Sequence, residues 1–150
     1  MADRIPRQRI RDDDNLLRRV IFIDPNHVRE DGTATSLAFK LRKSRGEKGL
    51  SVDVERLTTL EFSIKDVRRY RLFSISAGRV RSFGLCACHD PYPPEDPDNG
   101  AHAQILSPVD KPENCEDDTG ADQVEPAVIT NRMADMLAKA SDRLNYPDRS

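Results

Sequence analysis

Leu50-Ser51-Val52-Asp53-Val54-Glu55-Arg56-Leu57-Thr58-Thr59-Leu60-Glu61-Phe62-Ser63-Ile64 changes its period halfway along. The first five residues alternate apolar and polar, as a half-buried strand does. The second half carries a helix start. Thr58 is placed to accept from the backbone N–H of Glu61 while Glu61 reaches back, and Leu57 is placed to staple against Phe62. Leu60, Ile64 and Val67 then fall on one stripe of a helix expected to run to Tyr70.

Working outward, residues 16–23 end in the β-branched run Val20-Ile21-Phe22-Ile23, closed by Asp24-Pro25-Asn26, which is a strand followed by a turn. After the Asp31-Gly32 turn, Leu37, Phe39 and Leu41 alternate with Ser36, Ala38, Lys40 and Arg42, the pattern of a second strand. Downstream, 72–76 and 80–88 are expected as two strands around Ala77-Gly78, where a turn would use the freedom of glycine. A short apolar stretch, 101–106, follows. At the far end Ile129, Met133, Met136, Leu137, Ala140 and Leu144 recur at helical spacing, so an amphipathic helix is expected over 126–146. The fold class is α+β: a small, mostly antiparallel sheet with a central helix and a C-terminal amphipathic helix on an acidic, Pro-rich tether. The expected organisation is a charged flexible N-terminus over 1–15, a compact body over 16–106, an acidic linker over 107–125, and the helix.

A length of 150 residues supports one domain, and with 37% apolar residues, 33% charged residues and a mean hydropathy of -0.69 its core must be small. The longest apolar runs are four residues, which excludes a membrane-spanning helix. The charge of -2 conceals a division: residues 1–85 hold 19 Lys and Arg against 12 Asp and Glu, whereas 86–150 hold 5 against 14. Between Asp90 and Glu125, 11 acids and six of the ten prolines accompany a single base, Lys111, a composition that reads as loop and linker. The charged N-terminal stretch lacks the apolar region of a secretory signal, and three cysteines cannot close a disulfide framework, so a cytoplasmic location is expected.

Cys86, Cys88 and His89 offer metal-ligating chemistry, but Cys-x-Cys on a strand leaves the sulfurs apart, and buried cysteines pack as small hydrophobes. No metal is expected. His102 has the right chemistry for a general base, yet its near neighbours Ser107, Cys88 and Ser82 form no triad spacing, and an ordinary strand-edge histidine is the plainer expectation. Lys40, Arg42, Lys43, Arg68, Arg69, Arg79 and Arg81 form a basic set suited to phosphates, with Arg79 and Arg81 on one face of the expected strand. The aromatic motif of sequence-specific RNA binding is missing.

Arg18 or Arg19 on the first strand, Ser51 in Gly-Leu-Ser-Val and Glu61 in the following helix occur in an order that resembles the R-S-E arrangement of NAD-cleaving ADP-ribosyltransferases and RES-type toxins. That resemblance implies an Arg gripping the dinucleotide phosphate, a Ser shaping the nicotinamide pocket and a carboxylate stabilising an oxocarbenium. The Ser-Thr-Ser and Glu-x-Glu strings are missing, and Glu61 already serves as a cap. The leading expectation is a small bacterial accessory or regulatory protein without a cofactor, and the alternative is an NAD-processing enzyme of the kind just described. The accessory protein would bind another protein, or itself, through Ile129, Met133, Met136, Leu137, Ala140 and Leu144, with a nucleic-acid module as a further alternative. The competing outcome is that this helix packs on its own sheet.

Overall fold

The computed structural model describes residues 4–41, 49–108, 111, 115 and 129–147. Six strands form one antiparallel sheet: β1 (Asn15–Ile21), β2 (Leu50–Val54), β3 (Tyr70–Ser76), β4 (Cys86–His89), β5 (His102–Leu106) and β6 (Asp142–Arg143). Their spatial order is β4-β5-β2-β1-β3-β6. The helices are α1 (Leu60–Ile64), α2 (Ala77–Ser82) and α3 (Asn131–Ala140). The α+β class with an antiparallel sheet is what the periodicities predict.

Alternation along the strands gives the sheet two different faces. Leu16, Val20, Leu50, Val52, Phe73, Ile75, Ala103 and Ile105 build the main core, which also contains Ala134, Leu137 and Ala138 of α3. The opposite face carries two small apolar clusters. One is Leu17, Ile64 and Leu72 with Leu60, Tyr70, Leu144 and Tyr146 around it; the other is Cys86, Cys88 and Leu106 with Cys115. A polar strip lies between them.

Four expected elements differ. Of the strand expected over 36–42, the described residues 36–41 are not a strand: Ser36–Phe39 form a 3-10 turn with Ala38 and Phe39 buried and Leu37 exposed. The cause is Arg18, whose side chain is buried beneath this turn and donates to the carbonyls of Ala38 at 3.0 Å and Lys40 at 3.2 Å. Helix α1 is a single short turn whose cap is Thr59, not Thr58, accepting from Phe62 N–H at 3.1 Å. It stops at Lys65, which takes a φ of +62°, and Asp66 then caps the next turn by accepting from Arg68 N–H. Val67 is consequently exposed.

The expected hairpin at Ala77-Gly78 is helix α2, capped by Ser76, which accepts from Arg79 N–H at 3.1 Å. Gly78 serves close approach, since a Cβ there would lie 3.1 Å from the Asp12 carbonyl oxygen. The positive φ belongs to Gly84, which turns the chain into β4.

The N-terminal stretch is docked rather than loose. Ile10 is buried in the main core, Ala77 and Gly78 donate to the carbonyls of Asp14 and Asp12, and Arg56 and Arg81 pair with Asp14 and Asp12. Of the acidic linker, the structure describes 107, 108, 111 and 115; the rest lies outside the described residues, as do Arg42 and Lys43. Thr130 caps α3 by accepting from Met133 N–H, and α3 ends at Ala140 instead of running on to Leu144, because the chain turns into β6 and pairs with β3. The stripe of α3 is buried on the chain's own body: Leu137 is wholly buried, Ile129, Met133 and Ala140 pack against the same core, and Leu144 joins the cluster on the other face.

Candidate functional site

The polar strip is set by register. Asp53 of β2 opposes His102 of β5 and Ser51 opposes Gln104, so Ser51, Asp53 and His102 share one face, joined there by Arg19 of β1. His102 Nε2 lies 3.2 Å from Ser51 Oγ. His102 Nδ1 lies 3.0 Å from the Asp90 carbonyl oxygen and 3.4 Å from Asp90 Oδ2. A carbonyl only accepts, so Nδ1 carries the proton and Nε2 is left as the acceptor for the Ser51 hydroxyl. Asp90 follows β4 directly, and its N–H donates to the His102 carbonyl at 2.9 Å, which locks the two residues together.

Burial of His102 pulls its pKa down, but the hydrogen bonds and charge of Asp90, with Asp53 behind them, outweigh that pull and raise it above 6.5. Asp90 is lowered, chiefly through its hydrogen bond to His102 against the opposing effect of burial. The imidazole is thereby a stronger base than a solvated one.

Beside this trio sits a buried carboxylate. Asp53 Oδ1 accepts from Asn99 Nδ2 at 2.7 Å and Oδ2 from Ser63 Oγ at 2.6 Å, while Arg19 NH1 lies 3.6 Å from Oδ2 and donates to the Ser63 carbonyl at 2.9 Å. Asn99 is itself pinned, its Oδ1 accepting from Ala101 N–H at 3.0 Å. With every oxygen served, the charge is tolerated at 2% exposure. Leu17, Arg19, Ser51, Val52, Asp53 and His102 line one half-enclosed cleft, whose inner space of about 10 Å³ matches one water molecule.

Of the R-S-E set, Arg18 lies on the opposite face and donates to the Ser51 carbonyl at 3.0 Å, Arg19 and Ser51 share the cleft, and Glu61 is exposed on α1 and does not line it. His89 points away from Cys86 and Cys88. Its Nδ1 accepts from Gln8 N–H at 2.8 Å, its Nε2 donates to the Gly100 carbonyl at 2.7 Å, and burial pushes its pKa down. Cys88 is bonded to Cys115 in a disulfide and Cys86 is a buried thiol. Among the described residues no group of three or more His, Cys, Asp or Glu is arranged to hold a metal ion. The disulfide corrects the reading of Cys88 as a plainly packed cysteine in a cytoplasmic protein, since it fits an oxidising compartment rather than the cytoplasm. No helix among the described residues is long and apolar enough to cross a membrane.

The basic set does not form the expected strand face. Arg79 and Arg81 lie two apart on helix α2, where such residues diverge, and Arg81 is tied to Asp12 and the Ile10 carbonyl. Arg68 and Arg69 precede β3 while Arg79 follows it, about 20 Å away along the seven-residue strand.

Sequence reasoning joined Arg19 to Ser51 but left His102 apart from them, and it missed Asp90, Asp53, Asn99 and Ser63. Ser51 is 51 residues from His102, so only the β2–β5 register brings them together. The available signal was polar: a Ser and an Asp alternating inside an otherwise apolar strand. The chain matches no protein-family model, and no curated protein and no solved structure is significantly similar to it.

Proposed function

We propose that this protein is a hydrolase or acyl transferase acting on a small acyl group, with Ser51 as nucleophile, His102 as general base and Asp90 as the group that orients the imidazole. The observation that carries this reading is the hydrogen-bonded order Ser51 Oγ, His102 Nε2, His102 Nδ1 and Asp90, with the tautomer that base catalysis requires. In the first step Ser51 Oγ bonds to the substrate carbonyl carbon, its proton passes to Nε2, and Nε2 then gives that proton to the departing alcohol, thiol or amine. Water repeats the sequence on the acyl-serine, releasing the acid. Arg19 lines the same cleft and supplies positive charge near the developing oxyanion. The inner space limits entry to the reacting carbonyl, with the remainder of the substrate outside.

A fluorophosphonate probe, read by intact mass and peptide mapping, tests this. We expect one adduct per chain on Ser51, absent in Ser51→Ala, with labelling slowed roughly 10²-fold or more in His102→Ala. Labelling that persists unchanged in Ser51→Ala sinks the assignment. The same chain should release p-nitrophenol from p-nitrophenyl acetate in a Ser51-dependent way.

A second reading, a protein-interaction subunit, is supported by a groove of about 500 Å³ lined by Arg56, Leu57, Thr58, Thr59, Phe62, Asp98, Asn99 and Gly100, in which Phe62 is 43% exposed. The stripe Ile129, Met133, Met136, Leu137, Ala140 and Leu144 serves this reading only if α3 leaves the core. Phe62→Ala, which removes an exposed ring, should then abolish capture of a partner without moving the melting temperature.

A further inference from the structure

We propose that Cys86, Cys88 and Cys115 form a thiol–disulfide exchange site in which Cys86 displaces Cys88 from Cys115. Cys86 and Cys88 are two residues apart on β4, so their side chains leave the same face of the strand, about 6.6–7 Å apart at Cα. Both are buried, and both belong to one cluster with Leu106 and Cys115. The register confirms the shared face: Cys86 opposes Leu106, and Cys88 opposes Gln104, the residue that opposes Ser51 on the other side. A thiol therefore sits one strand repeat from an existing disulfide, on the side of the sheet where the disulfide lies.

The Cys88 and Cys115 Cα atoms are 5.4 Å apart. A disulfide to Cys86 needs a similar separation, so Cys115 must move along β4 by one repeat of two residues. In the step, the Cys86 thiolate bonds to Cys115 Sγ, the Cys88–Cys115 bond breaks, and Cys88 leaves as the thiolate that takes up the proton Cys86 lost. One disulfide and one thiol are present before and after, so no oxidant or reductant is consumed. The two states differ in where Cys115 is clasped, beside the row Cys88, Gln104 and Ser51 or one repeat further from it. The inference stands independently of the hydrolase reading, since it uses neither His102 nor the Ser51 hydroxyl.

Differential alkylation of the full chain tests it. The protein is equilibrated near pH 8.5, the ordinary thiol range, in a buffer of reduced and oxidised glutathione, the oxidised form serving as electron acceptor for the Cys88→Ala chain, and quenched. Thiols are then labelled, disulfides reduced and labelled with a heavier reagent, and the two labels located by peptide fragmentation. The thiol label is expected on Cys86 at the start and divided between Cys86 and Cys88 after equilibration. Cys88→Ala should form the Cys86–Cys115 bond and lose all alkylatable thiol, whereas Cys86→Ala should keep Cys88–Cys115. Two alkylatable thiols in a folded Cys88→Ala chain overturn the proposal. So does a wild-type label that never leaves Cys86, which decides the matter alone if that variant does not fold.

Discussion

Asp53 holds the polar strip together from a single position. Its two oxygens accept from Asn99 and Ser63, and Oδ2 faces Arg19, so Asp53→Ala takes an acceptor from both donors and the opposite charge from the guanidinium in a site of low polarity. We expect a loss of about 3 kcal/mol, read as a lower urea midpoint with an unchanged slope. Ser63→Ala removes one neutral hydrogen bond and should cost about 1 kcal/mol. At His102 the sign of the pH dependence follows from the raised pKa. Its contribution to stability is complete below 6.5, the unfolded value, and is lost as pH rises through the higher folded value. Melting temperature should therefore decline on the alkaline side of 6.5, and His102→Asn should flatten that decline. His89 works in the other direction. Its lowered pKa costs stability as pH falls below 6.5, so His89→Asn should steepen nothing on the alkaline side and relieve the loss on the acid side.

Elements were legible where the side chains of one segment decide its shape, and misjudged where a distant group does. Strands β1, β2 and β3 follow directly from their alternating or β-branched residues. Residues 36–42 alternate just as well, but the buried Arg18 takes the carbonyls that a sheet neighbour would have used. No local pattern announces this, because the deciding residue lies 20 positions away. The same holds for the site: His102 was visible as chemistry, but its partners were hidden by register. Helix α1 shows a smaller error, since Thr58, with Glu61 three residues on, is the better cap on paper and the path of the chain selects Thr59. Thr59→Ala should cost about 1 kcal/mol while Thr58→Ala leaves stability within a few tenths, compared by thermal melts. In α3 the buried Leu137 follows from the pattern, but the pattern gives neither the start at Thr130 nor the surface that covers the helix. Leu137→Ala should cost roughly 2–5 kcal/mol in the isolated protein, because a wholly buried leucine leaves a cavity in the chain's own core. A melting temperature unmoved by that change contradicts the docked helix.

At the level of the whole molecule, the Cys88–Cys115 bond closes a loop across 27 positions that includes β5. On the chain-entropy account such a loop contributes roughly 3–4 kcal/mol, so reduction should lower the melting temperature, most simply seen by adding a strong reductant. Across the division of charge along the chain Arg7 pairs with Asp90 at 4.0 Å, while Asp12 and Asp14 pair with Arg81 and Arg56 inside the basic half. These partly exposed pairs orient the docked N-terminal stretch more than they stabilise it.

The strand order also fixes a sequence of events in time. β1 is made early and lies in the interior of the sheet, so β2 and β3 can add to its two sides and β5 to β2 while the chain is still being synthesised. Helix α3, which covers part of the main core, comes about 30 residues after β5. At the usual speed of a ribosome that interval lasts roughly 2–6 s, far longer than apolar collapse takes. For those seconds the nascent chain displays five of the six strands with part of their apolar face open to any chaperone or neighbouring nascent chain within reach. Arrival of α3 and β6 ends that exposure, and so marks the moment at which the newly made protein stops being a client of others.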